Sequence, residues 1–140
     1  MAAHLVGADP GKLSAQLRKL IAYGPRRKDA DWAEDQAILA GVREQMRVAV
    51  AAHGFLILPT VPNPPFPHSE HEPAAQADFT CLASIAGLPA LSLPTGWTDD
   101  GLPLGLQLVG AEGAEAGLFA LARRLDTALA AYRPPATFGQ

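Results

Sequence analysis

Residues 78–110, DFTCLASIAGLPALSLPTGWTDDGLPLGLQLVG, decide the reading of this chain. Asp78 is suited to cap a short helix over Phe79–Ala86, and Gly87-Leu88-Pro89 ends it, since glycine tolerates the left-handed turn and proline cannot continue a helix. Ala90-Leu91-Ser92-Leu93 then reads as a buried strand. Trp97 to Gly101 is polar and turn-like, with Asp100-Gly101 suited to a hairpin bend. From Leu104 to Val109 apolar residues alternate with Gly105 and Gln107, the period of a partner strand. Helix, turn, strand, bend, strand is an α/β pattern.

Working upstream, Phe55-Leu56-Ile57-Leu58 is a continuous apolar run ended by Pro59. It predicts a strand buried on both faces, as in a parallel or mixed sheet flanked by helices. From Pro59 to Pro73 there are six prolines in fifteen residues, so a long loop follows rather than a ladder. Asp31 and Glu34 have the spacing of a capping box, and predict a helix to about Ala52 with Ile38, Leu39, Val42, Met46 and Val50 as its buried stripe. Further upstream, Asp9-Pro10 predicts a helix start, Leu13, Leu17, Leu20 and Ile21 its apolar face, and Gly24-Pro25 its stop near Tyr23. Arg26, Arg27 and Lys28 read as a solvated basic loop. Downstream, a last helix is predicted from about Glu112 to Tyr132, with Leu118, Leu121, Leu125 and Leu129 as its stripe and Arg123 and Arg124 toward its end; Pro134-Pro135 stops it.

Three strands among four helices make a poor closed domain, because the sheet keeps two free edges and incompletely covered faces. Residues 1–140 therefore read as a single partial domain, a piece of a larger α/β sheet. The bulk numbers exclude some partners. The net charge is −3 and the eleven Lys and Arg are scattered, so no surface is built to grip phosphates, and nucleic acid is not expected. No apolar run reaches the ~20 residues that span a bilayer, and the N-terminus lacks the pattern of a secretory signal. The one cysteine, Cys81, forms no internal disulfide and fits a reducing compartment. The expected location is the cytoplasm, without membrane attachment.

No complete catalytic site stands in the sequence. Cys81 has apolar neighbours, Leu82, Ala83 and Ile85, and no histidine close in sequence to favour a thiolate, so it reads as a packing residue. His68 and His71, with Glu70 and Glu72, have a spacing that could approach a metal, but they lie in the proline-rich loop without a scaffold and read as solvated side chains. The four serines, Ser14, Ser69, Ser84 and Ser92, lie in no nucleophile elbow and no Gly-Ser-Ser loop; Ser84 and Ser92 read as structural. There is no phosphate loop or dinucleotide fingerprint, so neither a cofactor nor a metal is expected.

The stretches Phe79-Thr80, Ala86-Gly87-Leu88-Pro89-Ala90, Leu93-Pro94-Thr95-Gly96 and Asp100 through Gly110 resemble the C-terminal segment of the amidase signature hydrolases. Leu58-Pro59-Thr60-Val61-Pro62 is similar to that family's strand-then-proline entry into a substrate-side loop, and the helix from Trp32 to His53 to the helix before that strand. The resemblance runs from about Lys12 to Ala131. It implies the C-terminal part of a mixed β-sheet sandwich with helices on both sides, and hydrolysis of a carboxylic amide to an acid plus ammonia or an amine. In the family the chemistry rests on a serine nucleophile, a bridging serine and a lysine base, with backbone N–H groups holding the oxyanion. No position here matches the double-serine loop, so no catalytic residue is carried over. The resemblance implies Pro62, Phe79, Thr80 and Cys81 as walls of the substrate pocket. The family's glutamine-using amidotransferases carry an acid ten residues before the Gly of Gly-Leu-Pro; here that position is Ala77, with Asp78 one residue off, which favours a general amidase over a glutamine amidotransferase. Asn is common in the family where Ser84 stands.

Three functional readings follow. The chain contributes scaffold and pocket wall to a catalytic partner chain, with a small amide as substrate only in that assembly; or it is a non-catalytic binding or oligomerising module; or it is a truncated amidase product. The first two expect a homo-oligomer or a partner protein to cover the exposed sheet.

Overall fold

The structure, a computed structural model, describes residues 10–134. Its elements run α1 (Ala15–Tyr23), α2 (Asp29–His53), β1 (Phe55–Pro59), α3 (Thr80–Ala86), β2 (Ala90–Trp97), β3 (Pro103–Gly110) and α4 (Glu115–Leu129). They fall into two compact units that divide between Ala40 and Gly41, within α2.

In the first unit, Pro10–Lys12 is one turn of 3-10 helix, and α1 starts at Ser14 instead of Asp9-Pro10. The Ser14 hydroxyl accepts the Leu17 N–H at 3.2 Å, which satisfies one of the helix's free donors. The expected Asp9 cap lies outside the described residues. No residue of α1 is buried, and Leu20 is 71% exposed. Asp31 is not the N-cap of α2 but its third residue. Its carboxylate accepts the Lys28 N–H at 3.3 Å while the Lys28 carbonyl accepts from Trp32, the reach-back half of a capping box one turn earlier than expected. Arg27 is held rather than freely solvated: its guanidinium forks onto Asp35 at 2.6 and 3.1 Å and stands 5.8 Å over the Tyr23 ring. The hydrogen bond to Asp35 raises the Arg27 pKa above its ordinary value. Ile38, expected in the buried stripe, is 59% exposed.

The second unit holds the sheet. The strand order is β1-β3-β2, antiparallel throughout, so the parallel or mixed pairing expected from β1 does not occur among these three strands. The hairpin between β2 and β3 closes where Gly101, at φ +84°, donates to the Thr98 carbonyl, and the Thr98 hydroxyl accepts the Leu102 N–H at 2.9 Å. A register shift at Pro94–Gly96 absorbs the proline in β2.

Paired residues point to the same side of the sheet, so the register sorts the side chains into two faces. Val109, Leu56 and Leu58 pack with Met46 and Val50 of α2 and Ala83 and Ala86 of α3. On the opposite face Leu93 and Leu108 pack with Leu118 and Ala122 of α4, joined by Phe55, Leu91 and Leu106. The unit is thus three layers deep, helices on both sides of a sheet, as the sequence pattern anticipates. Leu108 and Val109, neighbours on β3, are both fully buried because one faces each helix layer. The central strand is therefore the one buried on both faces, and β1 is not: as an edge strand it leaves Ile57 58% exposed.

The helix boundaries follow local chemistry. Asp78 does not cap α3; the cap position is Phe79, without a side-chain bond. The other end is a Schellman turn: Gly87 at φ +66° donates to Ser84, and Leu88 to Ala83 at 3.0 Å. Two arginines of α2 add to it, Arg43 donating to the Ile85 carbonyl at 3.0 Å and Arg47 to Ala86 at 3.2 Å. These carbonyls are otherwise orphaned at a helix end. α4 is shorter than expected, because Ala130 turns left-handed at φ 46°. No basic residue lies in its last turn, and Leu129 is exposed.

Candidate functional site

The site region lies in the second unit, where β1 gives way to the proline-rich loop. The Thr60 N–H still donates to the Gly105 carbonyl at 3.0 Å; beyond it the chain leaves the sheet. The departure opens a cleft of about 460 Å³ between that loop and β3, with Pro59, Pro62 and Asn63 on one side and Thr95, Leu104 and Leu106 on the other. Its lining is apolar with few polar atoms, the usual make-up of a small-molecule site. One wall is open, and Ile57 and Leu104 stand 58% and 40% exposed at its margin.

Of the four expected wall residues, Pro62 lines this cleft, while Phe79, Thr80 and Cys81 do not. Those three begin α3. The Thr80 hydroxyl donates back to the Ala77 carbonyl at 3.2 Å and the Cys81 thiol to Asp78 at 3.4 Å, both closing the first turn. Cys81 is partly buried with no charged group bonded to it, as a packing cysteine would be. His68, Glu70, His71 and Glu72 are all exposed, and among the described residues no three His, Cys, Asp or Glu side chains come together as a metal site would need.

Sequence reasoning missed a polar row on the sheet face that carries α3. Gln107, 4% exposed, donates from Nε2 to the Phe79 carbonyl at 2.8 Å. Ser92, its partner across the β2–β3 pair, has its hydroxyl 2.7 Å from that of Thr60. The one signal for it in the sequence is a glutamine inside the apolar alternation Leu104–Val109, at a position facing helices rather than water.

The family model for the amidases matches residues 10–119. A glutamyl-tRNA(Gln) amidotransferase subunit from Granulibacter bethesdensis is 34% identical over 113 residues, 77% of this chain and 23% of that protein. Its counterpart from Chlorobium phaeobacteroides is 43% identical over 88 residues, 59% of this chain and 18% of that one. A solved amidase superposes with a TM-score of 0.70 at 28% identity, over 86% of this chain and 30% of its own. The peptide amidase of Stenotrophomonas maltophilia does so with a TM-score of 0.63 at 27% identity, over 86% of this chain and 25% of its own. The chain spans 18% to 23% of these curated relatives. Among the described residues no helix is long and apolar enough to cross a membrane. Because the family match runs across most of the chain, and solved amidases share its helix–sheet–helix layering, this chain belongs to the amidase family.

Proposed function

We propose that this chain is the C-terminal portion of an amidase that hydrolyses a carboxylic amide to an acid and ammonia or an amine. It supplies scaffold and pocket wall, with Pro62, Phe79, Thr80 and Cys81 on the substrate side, and the Ser-Ser-Lys set lies outside residues 1–140. One observation carries this reading: residues 41–140, which contain the entire described sheet and the cleft, include no lysine and no adjacent pair of serines. That unit therefore has neither base nor bridging serine for the family's chemistry. The exposed Ile57 and Leu104 beside the open cleft suit a catalytic partner that closes it. Ala77 carries no carboxylate for a substrate's ammonium group, which favours simple amides over glutamine. A single free cysteine suits the cytoplasm.

The test is ammonia release from a panel of primary amides by the purified chain, alone and combined with an amidase portion bearing the Gly-Ser-Ser loop and lysine but lacking this segment. We expect no release above the blank from the chain alone, and turnover from the combination. Release by the chain alone that disappears in Cys81→Ala would refute the reading in favour of a cysteine nucleophile. Silence from a combination that forms a stoichiometric complex would refute the scaffold role.

A further inference from the structure

Thr60 follows β1 and Ser92 lies on β2, and these strands are not neighbours, because β3 runs between them. Their hydroxyls nevertheless lie 2.7 Å apart. They meet over Gly105. A Cβ at that position would stand 3.1 Å from Thr60 Oγ1 and 3.5 Å from Ser92 Oγ, so only glycine leaves the hydroxyl pair its space without a shift. Ser92 Oγ also reaches the Leu106 carbonyl at 3.2 Å. Gln107, opposite Ser92 in the register, is the sole buried polar side chain among the described residues. A buried amide is retained at a cost unless its bonds are made, and this one bonds the Phe79 carbonyl at the entrance of α3.

We infer that Thr60, Ser92 and Gln107 are positioning residues that tie two separate wall segments to one face of the sheet. The segments are Val61-Pro62 after β1 and Phe79-Thr80-Cys81 at the start of α3; naming them walls rests on the proposed function. Both need such a tether. The Thr60 bridge is the last fixed point before a loop whose prolines donate no hydrogen bonds. The seven residues of α3 are too few to hold a helix by themselves, so the place where the helix starts is set by what it is bonded to. Gly105 completes the device by giving one hydroxyl a path over the central strand to the other.

The test uses the chain itself, with Thr60→Val, Thr60→Ser and Gln107→Met. Thr60→Val keeps the shape and deletes the hydroxyl. It is expected to speed hydrogen exchange at the Thr60 amide, bonded to the Gly105 carbonyl, at least tenfold while the Leu108 and Val109 amides stay within twofold; Thr60→Ser restores protection. Gln107→Met is expected to speed alkylation of Cys81 by iodoacetamide at least tenfold, and Thr60→Val to leave that rate unchanged. Equal exchange in Thr60→Val and Thr60→Ser, or a uniform rise across all amides, overturns the tether. In an assembly with restored amidase activity, the Val and Met variants are expected to raise KM severalfold with kcat within twofold; an unchanged KM overturns the positioning role. Absence of activity with the native chain counts against the proposed function alone, because the exchange and alkylation rates decide the tether without it.

Discussion

Gly110 and Leu118 offer a sharp measure of how tightly α4 sits on the sheet. Gly110 ends β3 and is buried, and a Cβ built there would stand 3.0, 3.2 and 3.4 Å from Cγ, Cδ1 and Cδ2 of Leu118. All three contacts belong to one side chain that is itself 2% exposed, packed in the α4 layer. Gly110→Ala should therefore cost about 1–3 kcal/mol through overpacking. A gain of roughly 0.4–1 kcal/mol from restricting the unfolded chain offsets part of this, for a net loss of about 1–2 kcal/mol. Leu118→Ala removes a buried side chain from the α4 layer and should cost about 2–5 kcal/mol. In the double variant the new methyl occupies space that Leu118 vacated, so the two losses should fall short of additivity by about 1–2 kcal/mol. The assay is urea unfolding of the four proteins followed by circular dichroism at 222 nm, with m-values compared so that only stability differs. Additivity within about 0.5 kcal/mol would refute the contact on which the packing of α4 against β3 is argued.

Two other substitutions test contacts that fix the ends of elements. Gly87→Ala meets no crowding, its nearest neighbour being Arg47 Nη2 at 3.8 Å, so its cost is the left-handed backbone alone, about 1–2 kcal/mol; a melting temperature equal to that of the native chain would contradict the Schellman turn at α3. Trp97→Phe deletes the indole bond to the Ala131 carbonyl at 2.8 Å and weakens the stacking of Arg133, 5.4 Å over the ring. It should lower stability by about 1 kcal/mol and speed chymotryptic cleavage after Tyr132 severalfold; an unchanged cleavage rate would show that Trp97 does not hold that segment.

Much of the fold was legible because its signals are local. Gly87-Leu88-Pro89, Asp100-Gly101 and the alternation around Gln107 each act within a few residues, and the structure places the turns and strands where they predict. Cap assignments were legible in kind but not in place. Ser14, Asp31 and Asp78 are all residue types that cap helices, and which one does so depends on where the next contact lets the helix begin; Asp31 reaches back to Lys28, whereas Asp78 caps nothing. Apolar residues did not announce their exposure. Ile57 and Ile38 have the same chemistry as Val50, yet only Val50 is covered, because coverage is a property of the neighbouring layer.

The sequence by itself determined the order of elements, the α/β class, the family, and the lack of a lysine beyond residue 40, since these follow from residue identity and short spacing. Only the tertiary structure decided that β3 is central with β1 at an edge, that Gly105 is a passage for two hydroxyls from non-adjacent strands, and that Gln107 bonds the entrance of α3. Each of these joins residues well separated in the chain, 28 positions in the case of Phe79 and Gln107, where no periodicity reaches and only the pairing register brings the groups together.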